Sequence, residues 1–192
     1  NDHWPFYLGC VYDEADQCKK AIDYYKESNR LNANPLKSYR IARCYRELGD
    51  YNEGLKHVET AIQNDSTDTD NVLLRGTIYD DMGNSKAAIA DMDKYISMVP
   101  ESFFGYYKRG WYKYHSGDTE GALEDYTTSI TLNPDYAYTY LNRGTLYRLL
   151  GKKDLAKADF EEAVKRDTVP GDNNVIMTSV KRTKPMNLWI RR

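Results

Sequence analysis

Histidines, cysteines and a recurring Arg/Asp couple are the residues whose types and spacing could carry chemistry. His3, His57 and His115 are scattered and share no metal-ligand spacing. Cys10, Cys18 and Cys44 are odd in number and form no Cys-x-x-Cys, so they read as small half-buried apolar residues, with a Cys10–Cys18 bridge as the alternative. No HExxH, GxSxG or glycine-rich phosphate loop occurs. Asn64-Asp65-Ser66 fits a glycosylation sequon by spacing alone. The carboxylates fall where helix surfaces and helix starts would put them. The expectation is a chain with no catalytic residue, no metal site and no cofactor.

The couple with a repeated spacing is ionic. Arg75 and Asp91, Arg109 and Asp125, and Arg143 and Asp159 are each 16 residues apart. Where the arginine is missing the aspartate is missing too, with Ile41 matched by His57 and Leu8 by Tyr24. This pattern predicts three partly buried ion pairs, each closing one helical hairpin. The functional alternative is an arginine row that binds an anionic ligand.

The elements that would hold these couples repeat every 34 residues. Arg-Gly recurs at Arg75-Gly76, Arg109-Gly110 and Arg143-Gly144, a period that marks a stacked repeat array. Residues 103–136 serve as the template, positions 1 to 34. Its first helix covers about positions 1–14 and stops at Gly117. Asp118 and Thr119 start a second helix, which Asn133-Pro134 ends after about Leu132. Ala122, Leu123, Tyr126 and Ile130 share one face of that helix. The other copies are near 2–34, 35–68, 69–102 and 137–170. Pro5 predicts a short opening helix in the first copy. Small residues at positions 8 and 20 let the paired helices approach closely, and larger ones at 4, 11 and 24 fill the space around them.

Composition narrows the function. With 41% hydrophobic residues over 192 positions, the chain can bury a real core, spread along the array axis. A net charge of −2 and a pI of about 6.0 give no pull toward nucleic acid or a membrane surface. No apolar run of spanning length is present, so no membrane insertion is expected. The chain begins with Asn and is expected to be a processed or excised piece. Its compartment is left open between the cytoplasm and a periplasmic or secreted setting after loss of a targeting segment.

Gly at position 8, Tyr at 11, Gly at 15, Ala at 20, aromatics at 4 and 24 and Pro at 32 together resemble the tetratricopeptide repeat over about residues 2–170. The departures are Pro5 at position 4, Ser66 in place of Pro, and Lys113 in place of Tyr at position 11. The resemblance implies an all-α fold, a right-handed superhelical solenoid of stacked antiparallel helix hairpins. It also implies a concave face lined by positions 2, 5, 9, 12 and 13. The candidate partner-binding residues on it are Tyr39, Arg43 and Arg46; Leu73, Thr77 and Asp80; Phe104, Tyr107, Trp111 and Tyr114; and Tyr138, Leu141, Thr145 and Arg148. Leu36, Glu47, Asp70, Asp81, His115 and Leu149 occupy the same positions. The Lys and Asn set with which some family members grip a C-terminal carboxylate is not kept; only Asn142 matches it.

Trp, Tyr and Arg dominate binding hot spots, so the stripe reads as a groove for a peptide or partner segment, with packing against neighbouring helices as the alternative for each residue. The function expected is a non-catalytic protein–protein interaction module. The second reading is a structural or self-associating segment of a larger protein. Residues 171–192 break the pattern. Five cations against one acid give them +4, leaving −6 for the rest, and they end in Met186-Asn187-Leu188-Trp189-Ile190. They are expected to cap the fifth repeat, to dock in a groove and so support a homo-oligomer, or to stay free.

Overall fold

The computed structural model describes residues 3–166, which form ten α-helices and no strand. The helices are α1 (His3–Glu14), α2 (Cys18–Leu31), α3 (Pro35–Glu47), α4 (Tyr51–Asn64), α5 (Thr69–Asp81), α6 (Ser85–Met98), α7 (Phe103–His115), α8 (Thr119–Leu132), α9 (Ala137–Leu149) and α10 (Lys153–Arg166). Each 34-residue copy is thus one helix pair. The expectations for residues 171–192 lie outside the described residues.

Helix starts follow the local chemistry. Asn34, Asp50, Asp68, Asn84 and Asp118 are N-caps whose side chains accept from backbone N–H groups at Leu36, Glu53, Asp70, Ala87 and Gly121. Between the paired helices, Gly49, Gly83, Gly117 and Gly151 take φ of +77°, +75°, +92° and +74°, the left-handed region that closes a helix end. The first copy has Asp16 there instead, at φ 56°. The short opening helix expected from Pro5 is short by a single residue: among the described residues α1 runs 12 residues from His3, against 13 in α3, α5, α7 and α9. Pro5 falls in the first turn, where an N–H would have no intrahelical acceptor.

Two compact units divide the chain, Asn1–Pro100 and Glu101–Arg192. In the first, α1 pairs with α2, α3 with α4 and α5 with α6, while α2 packs on α3 and α4 on α5. Its core includes a cluster around Ala21, Ile22, Tyr25, Ile41 and Cys44 and another around Ala42, Val58, Leu74 and Ile78. In the second unit α7 pairs with α8, α9 with α10, and α8 packs on α9. Ala122, Tyr126 and Leu146 form one cluster there and Ala137, Tyr140 and Ala163 another.

The small-residue rule is literal at Gly110. A Cβ there would stand 3.0 Å from the Tyr126 ring and 3.2 Å from the Ala122 carbonyl, so position 8 meets positions 20 and 24 of its own hairpin. Tyr126 is in turn almost fully buried, and its hydroxyl pKa is raised by that burial.

Candidate partner-binding site

All three Arg/Asp couples form as expected, each with two parallel bonds. Arg75 donates to Asp91 at 2.5 and 2.9 Å, Arg109 to Asp125 at 2.6 and 2.8 Å, and Arg143 to Asp159 at 2.8 and 2.9 Å. The aspartates are buried and the arginines mostly so, which matches a pair closing each hairpin. Lys113, the departure at position 11, reaches the same Asp125 at 2.9 Å. In the first two copies an aromatic stack replaces the ion pair. Tyr12 lies on Tyr24 at 5.3 Å with an interplanar angle of 4°, and Tyr45 on His57 at 5.6 Å and 13°. A position 23 without its Asp therefore presents a flat ring to Tyr at position 11.

The expected groove residues of the first unit are largely engaged by its own side chains. Tyr39 packs on the Ala42–Val58 cluster, and burial raises its pKa. Arg43 pairs with Asp13, and Arg46 with Asp81 at 2.5 Å. The Thr77 hydroxyl donates back to the Leu73 carbonyl at 2.8 Å. Leu73 and Asp80 are half-buried.

In the second unit several of the expected residues meet. Phe104 stacks on Tyr107, centroids 5.9 Å apart at 29°. Tyr107 meets Tyr136 edge-on at 5.1 Å and 87°, and Tyr136 leans on Tyr138 at 5.6 Å. One helical turn along, Trp111 lies 4.2 Å from the His115 ring, which Tyr114 meets edge-on at 5.1 Å. His115 Nδ1 is bonded to the Trp111 carbonyl at 2.8 Å, which fixes the imidazole against the indole. Asn142 donates to the Tyr107 hydroxyl at 3.4 Å. Burial pushes the Tyr107 pKa well up, so this phenol stays neutral and available as a donor or acceptor. Tyr138 is 43% exposed and Trp111 half-buried, so the rings form a surface and not a sealed core.

Three expected members do not join this surface freely. Thr145 is buried and its hydroxyl donates to Leu141, so it offers a partner nothing. Leu141 packs on the Ala137–Tyr140–Ala163 cluster. Arg148 lines a separate hollow of about 710 Å³ with Ala156, Phe160, Val164 and the lysines of α10. Tyr136 was not among the expected residues, because it precedes α9 as its N-cap and takes the template's last position. It nevertheless bridges α7 to Tyr138.

A second cluster, in the first unit, also escaped the sequence reading. Buried Asp13 accepts through Oδ2 from the Tyr25 hydroxyl at 2.9 Å, from Arg40 at 3.5 Å and from Arg43, while its Oδ1 faces Cys44 Sγ at 3.7 Å. Cys18 donates to Glu47 at 2.9 Å. Burial first, then Glu47, pushes the Cys18 thiol up to about 11; burial first, then Asp13, pushes Cys44 higher still. Asp13, Cys18 and Cys44 could hold a metal ion. Asp13 takes the position held by Arg46, Asp80, Tyr114 and Arg148 in the other copies, and since Asp80 is also an acid, the repeat pattern does not single it out.

Family models described as tetratricopeptide repeat match residues 38–68, 71–101 and 137–169, and one described as TPR repeat matches 113–151. The human tetratricopeptide repeat protein 6 is 29% identical over 89% of this chain and 32% of its own length. The lipoprotein NlpI homolog of Haemophilus influenzae is 32% identical over 48% of this chain and 30% of its own. The chain thus spans about a third or less of these curated relatives. Among solved structures, MamA from Desulfovibrio magneticus superposes with a TM-score of 0.79 at 14% identity, over 89% of this chain and 97% of that one. YrrB, described as a TPR protein with an unusual peptide-binding site, gives 0.69 at 15% identity, over 92% and 90%. No helix among the described residues is long and apolar enough to cross a membrane.

Proposed function

Because the chain belongs to the tetratricopeptide repeat family, whose repeats serve as protein–protein interaction modules, we propose that it is a non-catalytic adaptor that holds an apolar segment of a partner protein on the α7–α9 aromatic surface. The observation that carries this reading is the run of rings Phe104, Tyr107, Tyr136 and Tyr138, with Trp111 beside it, on a face that still meets solvent. Aromatic side chains bury large area at low entropic cost, and a neutral Tyr107 hydroxyl with Asn142 beside it supplies polar contacts for a peptide backbone. In the first unit the corresponding arginines are already paired with carboxylates, which favours the second unit as the anchor. A peptide-binding relative of similar fold is consistent with the reading.

The test is peptide selection against the full chain, followed by calorimetric affinities of the winning peptide for variants. Trp111→Ala and Tyr138→Ala should each weaken binding about tenfold or more with nearly unchanged melting temperature. Arg46→Ala, in the first unit, should leave affinity unchanged. Binding indifferent to both ring deletions would sink the reading. A concentration-dependent dimer in light scattering that excludes peptide would favour the self-associating alternative.

A further inference from the structure

We propose that Asp13, Cys18, Cys44 and Glu47 form a structural site for a zinc ion that clamps the first repeat to the second. The ligand atoms of Asp13, Cys18 and Cys44 all lie within 4.8 Å of one another, and all three residues are buried. Asp13 Oδ1 is 3.7 Å from Cys44 Sγ, and Glu47 Oε2 is 2.9 Å from Cys18 Sγ. Tetrahedral zinc, with bonds of about 2.3 Å to sulfur and about 2.0 Å to oxygen, places its ligand atoms roughly 3.3–3.8 Å apart. Closing the site therefore needs shifts of about an ångström or less in the three-residue set, and a rotamer change in Glu47.

The fold supplies what four loose residues would lack. Asp13 comes from the last turn of α1, Cys18 is the first residue of α2, and Cys44 and Glu47 stand three apart on one face of α3. The two Asp13 oxygens have different duties. Oδ2 is held by Tyr25, Arg40 and Arg43, the outer-shell bonding that orients a ligating carboxylate, while Oδ1 faces the sulfur of Cys44.

Charge balances in both states. With neutral thiols, Asp13 and Glu47 offset Arg40 and Arg43. When Zn²⁺ enters, the two thiols release their protons to solvent and the resulting thiolates offset the ion, so the net charge of the site is unchanged. Two thiolates make the site soft, which selects zinc over magnesium or calcium. Glu47 is exposed and gives the ion a way in. The spacing concealed the site because Cys18 and Cys44 sit 26 residues apart on successive repeats.

The full chain, stripped by a chelator and kept reduced with a phosphine, is titrated with Co²⁺ and then Zn²⁺. One equivalent of Co²⁺ should give thiolate-to-cobalt charge transfer and intense tetrahedral visible bands, which Zn²⁺ bleaches. Cys10→Ser should behave as the unmodified chain. Cys18→Ser and Cys44→Ser should each weaken binding about a hundredfold or more, and Glu47→Gln about tenfold. If the cysteine variants lose their helical circular dichroism, alkylation of the unmodified chain decides: Zn²⁺ should protect Cys18 and Cys44, but not Cys10, from iodoacetamide. Absence of a one-equivalent signal, a signal that survives in a folded Cys18→Ser or Cys44→Ser chain, or equal alkylation with and without Zn²⁺ would overturn the site.

Discussion

At the residue scale, position 23 decides how each hairpin is tied. A buried aspartate there is tolerable because a guanidinium at position 7 meets it with two bonds, and removing one partner leaves the other charge unpaired in a poorly hydrated place. Asp125 is the extreme case because it holds both Arg109 and Lys113. Asp125→Ala should cost about 3–5 kcal/mol. Asp159→Ala should cost less, since Arg143 keeps the Thr127 hydroxyl at 3.1 Å. Urea unfolding of both variants gives the order, and an Asp125→Ala loss below about 1 kcal/mol would mean the pair behaves as an exposed one. His57, at position 23 of the second copy, makes the opposite use of the site. Burial first, then the nearby Lys26 ammonium, lowers its pKa from 6.5; Lys56 acts in the same sense, and Glu53 opposes. Between the lowered folded value and 6.5 the unfolded chain binds the extra proton, so stability rises with pH through that window and falls as pH drops below 6.5. Unfolding midpoints from pH about 5 to 8 should show this slope, and His57→Gln should flatten it.

At the element scale, the hairpin depends on how closely two helices approach. Gly110 lies against the Tyr126 ring and the Ala122 backbone, and a methyl group there meets a carbonyl that cannot rotate away. Gly110→Ala gains helix propensity but overpacks the contact, and a net loss of about 1–3 kcal/mol is expected from calorimetric melting. No loss, or a gain, would show that α7 and α8 can part at little cost. The helix bounds themselves were legible beforehand: Gly117 ends α7, Asp118 caps α8 and Leu132 closes it, all from local capping chemistry. Pro5 likewise marks the first turn of α1, and that helix runs 12 residues, one fewer than the other first helices.

At the scale of the whole molecule, stability in a repeat array is a sum of repeat terms and nearest-neighbour terms, so damage stays local. The division into Asn1–Pro100 and Glu101–Arg192 gives that locality a boundary. Native-state amide exchange of Asp125→Ala should accelerate in α7–α10 and change much less in α1–α4. Uniform acceleration across both units would show instead that the chain unfolds as a single block.

The sequence by itself determined the 34-residue period, the helix pairs, the three ion pairs and the family. Each is written in residues whose effect is local or whose partner lies at a constant offset, as Arg109 and Asp125 do. Only tertiary structure decided which stripe residues keep a face to solvent. Thr145 and Tyr138 both occupy positions expected to line the groove, but one is buried and the other is 43% exposed. It also brought Asp13, Cys18 and Cys44 together across two repeats. Such meetings depend on how one hairpin rests on the next, and no periodic signal along the chain records that.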